Sequence, residues 1–191
     1  MGAGILPTTI YKNELYFLFG KENKYEDNAA GFADFGGGTD KNESFLETAV
    51  REGTEELTGF LGSMSDVRRM LQKNGTYQVD YHAEGHRPYR THIFPIVYDE
   101  ALPFYYNNNQ RFLQKRLDPN VIKNSKIFEK EEIRWVSVNE LKKMRSKFRF
   151  FFLPMIDQIY EEREKIQSFI RRGLKGSGRK TRKNRSGGNN K

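Results

Sequence analysis

Residues 35–59, FGGGTDKNESFLETAVREGTEELTG, constrain this chain more than any other stretch. A short strand is expected over Gly31–Phe35, running into Gly36-Gly37-Gly38. A helix is expected over Asn42–Leu57, capped by Asn42 or Ser44. Phe45, Ala49, Gly53 and Leu57 recur at helical spacing and mark one face. Glu52, Glu55 and Glu56 stand at i, i+3 and i+4, so a helix gathers them within one turn. Carboxylates so placed repel one another. A solvated face would screen them, but the lysines that would compensate at i+4 are missing, since Glu56, Gly59 and Phe60 stand there. A glycine loop suits close approach of backbone to a phosphate or a metal-bound ligand. Arg51 can hold a neighbouring carboxylate through two bonds. A hard divalent cation would remove the repulsion, and Mg2+ takes carboxylates together with substrate phosphates.

Gly37, Glu43, Arg51-Glu52, Glu55-Glu56 and the nearby Gly59 are spaced in a pattern that resembles the Nudix box. The lead-in FADFGGG and the later FEKEEIRWVSVNEL, with Glu132 three residues before Trp135, resemble the same family, over roughly residues 1–160. The resemblance implies an α/β fold, a Nudix-type α/β/α sandwich with a mixed sheet. It implies Mg2+ or Mn2+ and cleavage of a diphosphate joined to another moiety. Glu52, Glu55 and Glu56 would be metal ligands, with the Gly38 carbonyl as a further one. Glu55 or Glu56 would help to activate water, Arg51 would orient the glutamates, and Glu43 would steady the helix start. Glu132 is the expected base outside the box, with Glu131 in reserve. Two positions depart from the pattern: Gly53 replaces an aliphatic residue, and Thr58 stands where the closing glycine is expected.

Elsewhere, Gly4–Leu6 and Leu15–Phe19 read as strands around a turn at Lys12-Asn13. Lys21–Ala30 reads as a polar loop, Asp66–Gln72 as a short helix, and Tyr77–His82 and Thr91–Tyr98 as paired strands. A helix is expected around Gln110–Leu117, a strand over Glu132–Val138, a helix starting in Val138–Lys143, and a long helix over Phe148–Arg172. Arg87 and Arg90 are candidates for contacting an anionic substrate. His82, His86 and His92 lack regular ligand spacing, so structural or solvent roles are expected for them rather than a zinc site. Trp135 is read as core. The segment Phe104–Asn109 is read as packing rather than base stacking.

Length supports one domain, and 36% hydrophobic and 14% aromatic residues favour a folded chain. The absence of cysteine excludes disulfides and thiolate zinc sites. No apolar run reaches the roughly 18–20 residues of a membrane span. The net charge of +8 is concentrated beyond residue 172, where seven Lys/Arg and no Asp/Glu occur. Residues 1–172 are therefore expected to form the catalytic domain and 173–191 a basic disordered tail, either a tether for RNA or a solubilising end. The tail also resembles termini of proteins from large DNA viruses. The expected address is cytoplasmic, or host cytoplasm or virion for a viral source. The expected substrate is a small diphosphate such as a nucleoside diphosphate derivative. Two alternatives are an mRNA-decapping Nudix enzyme acting on capped RNA and a non-catalytic Nudix-fold binding module. Against decapping, the lead-in lacks the proline and basic residue usual in such enzymes. Against the module, the box glutamates are intact.

Overall fold

The computed structural model describes residues 1–23, 31–82, 84, 87–125 and 129–183, with side chains as far as residue 175. Its centre is β1 (Gly2–Tyr11), far longer than the expected Gly4–Leu6. Lys12 and Asn13 both take positive φ (47° and 65°), the two-residue turn that suits strand twist, and return the chain as β2 (Glu14–Glu22). The stretch Gly31–Phe35 breaks at Asp34 into β3 (Phe32–Ala33) and β4 (Phe35–Gly38). Strands β5 (Tyr77–Tyr81), β6 (Tyr89–Pro95) and β7 (Lys130–Ser137) complete a seven-stranded sheet. The sheet is mixed: β1 runs parallel to β6 and antiparallel to β2 and β4, while β7 lies against β2.

Both faces of the sheet are covered, which is why β1 is buried along most of its length. Ala3 and Ile5 join the core with Ala49, Val50 and Leu57 of α1 (Phe45–Glu56), Val67 and Leu71 of α2 (Met64–Asn74), and Tyr106 of α3 (Ala101–Arg116). On the other face Leu6, Phe17 and Val79 pack with Ile156 and Ile159 of α5 (Leu153–Glu161) and Ile166 and Ile170 of α6 (Arg163–Lys183). The short α4 (Pro119–Asn124) follows α3. This is the expected α/β/α sandwich. Among the described residues, no helix is long and apolar enough to cross a membrane.

Several elements differ from expectation. Helix α3 begins at Ala101, not near Gln110, because its polar residues are used internally. Tyr106 donates to the Glu56 carbonyl (2.8 Å), and the Asn107 amide brackets the Ile133 backbone (3.0 and 2.8 Å). Pro103 is tolerated in the first turn, where no intrahelical N–H bond is lost. In place of a helix over Val138–Lys143 there are turns, tightened by Glu140 accepting from the Ser137 amide (3.0 Å), and then a 3₁₀ turn at Arg145–Lys147. The expected Phe148–Arg172 helix is split. Phe148 bridges to Phe32, a 3₁₀ turn spans Phe150–Phe152, and α5 is capped at its C-terminus by Glu162, whose carboxylate accepts from Tyr77 Oη (2.7 Å). Helix α6 crosses the expected boundary at residue 172. Gly173 is pressed against Pro95 (a Cβ there would lie 2.5 Å from its ring), and Leu174 packs on the core.

Candidate metal centre

Ser44 caps the start of α1: its side chain accepts from the Glu47 amide while the Glu47 carboxylate accepts from the Ser44 amide. Asn42 lies outside it with φ 71°. The three glycines ahead of α1 provide space rather than unusual backbone, since none has a positive φ. A Cβ on Gly36 would lie 2.2 Å from Tyr89 Oη, and one on Gly37 would lie 2.5 Å from Glu52 Oε1. A Cβ on Gly38 would meet nothing. Gly53 has a similar cause. Ile5 of β1 fills the place of its missing side chain, 2.3 Å from the ideal Cβ, so the aliphatic volume usual in the helix comes from the strand.

Arg51 is the hub of the exposed half of the centre. It forks onto Glu43 (Nε–Oε1 2.8 Å, Nη2–Oε2 3.0 Å), donates to Glu52 Oε1 (2.8 Å) and reaches the Gly38 carbonyl (3.0 Å). Glu43 also accepts from the Asp40 amide and the Thr48 hydroxyl. The Arg51 bond is the main reason its carboxyl is held down to about 2. Glu55 is exposed and sits 3.5 Å from Arg51 Nη1.

The buried half was not foreseen. Glu56 is 5% exposed, and its Oε1 lies 3.1 Å from Nζ of Lys130, which is wholly buried at the start of β7. Lys130 also bonds Glu22 at the end of β2, and Arg149 Nη1 bonds the same Glu22 oxygen at 2.5 Å. Burial pushes the Glu56 carboxyl well up, against the pull of Lys130. Burial opposes the lysine charge, but Glu56 and Glu22 outweigh it and the ammonium is held.

Glu52, Glu56 and Glu129 each offer an oxygen within 4.8 Å of the others. Glu129, directly before β7, is thus the carboxylate outside α1 that joins this group. Glu131 is tied to Lys21 (2.5 Å), and Glu132 is paired with Lys21 in the β2–β7 ladder. Neither belongs to the three-carboxylate group. The set suits a hard divalent cation, because all donors are carboxylate oxygens and Glu56 Oε2 is buried without a hydrogen-bond partner. Mg2+ or Mn2+ fits that chemistry.

The remaining candidates lie elsewhere. Arg87 is exposed. Arg90 is clamped by Asp80 (2.6 and 2.7 Å) with its guanidinium over Phe45. With His92 it lines a cavity of about 420 Å3 that contains none of the three carboxylates. His92 is buried against Thr76, and His82 is exposed. His86 lies outside the described residues. A cavity of about 550 Å3 between α2, the end of β6 and α6 is also separate from the carboxylates. Trp135 is core, its indole N–H donating to the Asp99 carbonyl (2.9 Å).

No family model matches the sequence, and no curated protein matches it significantly. Solved structures do. A Nudix hydrolase from M. smegmatis, RenU, superposes with a TM-score of 0.50 at 15% identity over 87% of each chain. The chain has the Nudix hydrolase fold. Two other solved structures superpose less well than that. A C. elegans Ap4A hydrolase gives a TM-score of 0.43 at 14% identity, over 92% of this chain and 97% of that one. A MutT protein from Methanosarcina mazei Go1 gives 0.46 at 17%, over 85% and 93%. At these identities the likeness is one of fold. Within that Nudix fold, the three carboxylates lie at the end of the sheet marked by Gly2, Gly38 and Lys130.

Proposed function

We propose that the protein is a divalent-cation-dependent hydrolase that cleaves a diphosphate linkage in a nucleoside diphosphate derivative or a similar diphosphate metabolite. The observation that carries this reading is the convergence of Glu52, Glu56 and Glu129, with a buried, unpartnered Oε2 on Glu56. A bound Mg2+ or Mn2+ would neutralise the diphosphate and lower the pKa of a coordinated water. The chain's own contribution is to fix the donors. Arg51 sets Glu52, and Lys130 sets Glu56 through Oε1 while leaving Oε2 without a protein partner. Glu55, exposed beside the cluster, is the group placed to exchange a proton with water. Glu129 takes the part of the carboxylate outside the helix.

The test is hydrolysis of a panel of diphosphates, capped RNA included, with Mg2+ or with EDTA. Glu56→Gln and Glu129→Gln should each lower kcat by at least about 100-fold, the scale of losing a group that acts in the reaction. Glu132→Gln should change it only a few-fold. Full activity in EDTA, or loss with Glu132→Gln and not with Glu129→Gln, would overturn this assignment.

A further inference from the structure

Helix α3 is amphipathic, and its two faces differ in chemistry. Leu102, Tyr106 and Gln110 recur at i, i+4 and i+8 and are buried. The reading of Phe104–Asn109 as packing therefore holds for Tyr106 and Asn107, whose side chains bond the Glu56 carbonyl and the Ile133 backbone. Phe104, Tyr105 and Phe112 turn the other way and are 62%, 62% and 61% exposed. None of the three belongs to either core layer. Phe104 and Tyr105 meet edge-on (centroids 5.4 Å, 77°), and the Arg116 guanidinium lies 5.8 Å from the Phe112 centroid.

Phe104, Asn108, Phe112 and Arg116 follow one another at i+4, so ring, amide, ring and cation form one row along the helix. The two phenylalanines are about 12 Å apart along its axis. Arg111 and Lys115, both exposed, flank the row, and no Asp or Glu occurs between Ala101 and Arg116. Cations in the last turn suit the helix dipole, which accounts for Lys115 and Arg116 but not for Arg111 or the rings. Apolar residues exposed singly are ordinary, whereas three rings on one helix face beside three cations describe a surface that meets a partner. A second copy of the chain fits poorly. A two-fold contact through this face would bring both sets of cations together, with no carboxylate on the helix to offset them. A polyanion that presents planar groups fits the rings and the cations alike. In a duplex the bases are already stacked on one another, so the fit is to a single strand.

We propose that the outer face of α3 is a docking surface for single-stranded RNA, with Phe104 and Phe112 as platforms on which bases stack and Arg111, Lys115 and Arg116 as partners of the phosphates. Asn108, exposed between the rings, offers both a donor and an acceptor, which matches the ribose 2′-hydroxyl. The buried face of the same helix holds the surface in place, since Tyr106 and Asn107 fasten it to the last turn of α1 and to β7. The surface uses none of Glu52, Glu56 and Glu129, so it goes beyond the reading of the metal centre and does not depend on it.

The experiment measures binding of the full chain to a fluorescent uridylate strand by anisotropy, in EDTA so that no hydrolysis intervenes. The basic tail is present in every variant, so its share is constant. Phe104→Ala and Phe112→Ala should each raise Kd by roughly 5- to 150-fold, the scale of losing one stacked base. Phe112→Trp should retain tight binding. Neither alanine variant should change Kd for an abasic phosphodiester strand of the same length. Replacing Arg111, Lys115 and Arg116 together by Gln should flatten the slope of log Kd against log salt by about 2, the contribution of three neutralised phosphates. A deoxyuridylate strand should bind more weakly than uridylate. The replaced side chains are exposed, so thermal unfolding should not change. Absence of uridylate binding by wild type, an unchanged Kd in both alanine variants, an equal loss on the abasic strand, or deoxyuridylate binding as tight as uridylate would each overturn the proposal. So would a dimer in sedimentation that Phe112→Ala dissociates, which would assign the face to a second copy.

Discussion

The carboxylates of α1 are held by two cations of different origin. Arg51 is adjacent to Glu52 in sequence, is partly exposed, and forks onto Glu43 within the same loop and helix. Lys130 reaches Glu56 from the far side of the chain, is wholly buried, and shares its charge with Glu22. A screened, local arginine can be lost at modest cost. A buried lysine between two carboxylates cannot, because removing it strands charge away from water. The difference also separates two tasks. Arg51 aims Glu52 at the loop, whereas Lys130 anchors the last turn of α1 to β7 and β2.

The sharpest way to break the contrast is Lys130→Met. Leaving Glu22 and Glu56 without their shared partner should destabilise the fold by about 3–5 kcal/mol, read from urea denaturation. Adding Glu56→Gln to that variant should recover part of the loss. A cost below about 1 kcal/mol would show that the buried cluster relaxes and that the two cations are equivalent.

Arg51→Lys keeps the charge but loses the fork, and should cost about 1–2 kcal/mol near neutral pH. Its signature is in acid. Arg51 holds Glu43 down to about 2 from a usual value of 4.5, with Asp40 and Glu52 the other charges beside it. A depressed carboxyl stabilises the fold above its unfolded pKa, and that stabilisation fades as pH falls towards the folded value. The gap between wild type and Arg51→Lys should therefore narrow between pH 4.5 and 2 in urea titrations. A constant gap would mean that Arg51 acts through packing rather than through Glu43.

The smallest expected effect lies at the end of the same helix. Thr58 takes φ 48°, a left-handed conformation that a β-branched residue resists. Thr58→Gly should stabilise the protein by about 1 kcal/mol and raise Tm by about 2–4 °C, measured by calorimetry. A lower Tm would show that the Thr58 side chain contributes more than its backbone strain costs.

These contrasts follow how legible each part was in the sequence. The Lys12-Asn13 turn, the Ser44 cap and the spacing of Glu52, Glu55 and Glu56 are local, so periodicity and turn chemistry reveal them. Glu129, Lys130 and Glu22 act through strand register, and the β2–β7 ladder shifts between Lys21 and Glu22. A one-residue shift changes which side chain faces which layer. The run Glu129-Lys130-Glu131-Glu132 therefore marks the segment but not which of its carboxylates meets Glu52 and Glu56. The missing lysines at i+4 had the same resolution for Glu56: its compensating charge came from a distant strand. The departure at Gly53 is likewise non-local, since Ile5 of β1 occupies the place of its missing side chain.

Trp135 has a consequence for how all of this can be watched. It is the chain's one tryptophan, 9% exposed, with its ring 5.5 Å from Tyr98. Tyrosine excitation should pass to this indole by energy transfer, so its emission is a built-in optical gauge. It sits on the strand that Lys130 begins, against the carbonyl that leads into α3. Its colour and intensity therefore follow the integrity of the layer that carries the carboxylates, with no label attached.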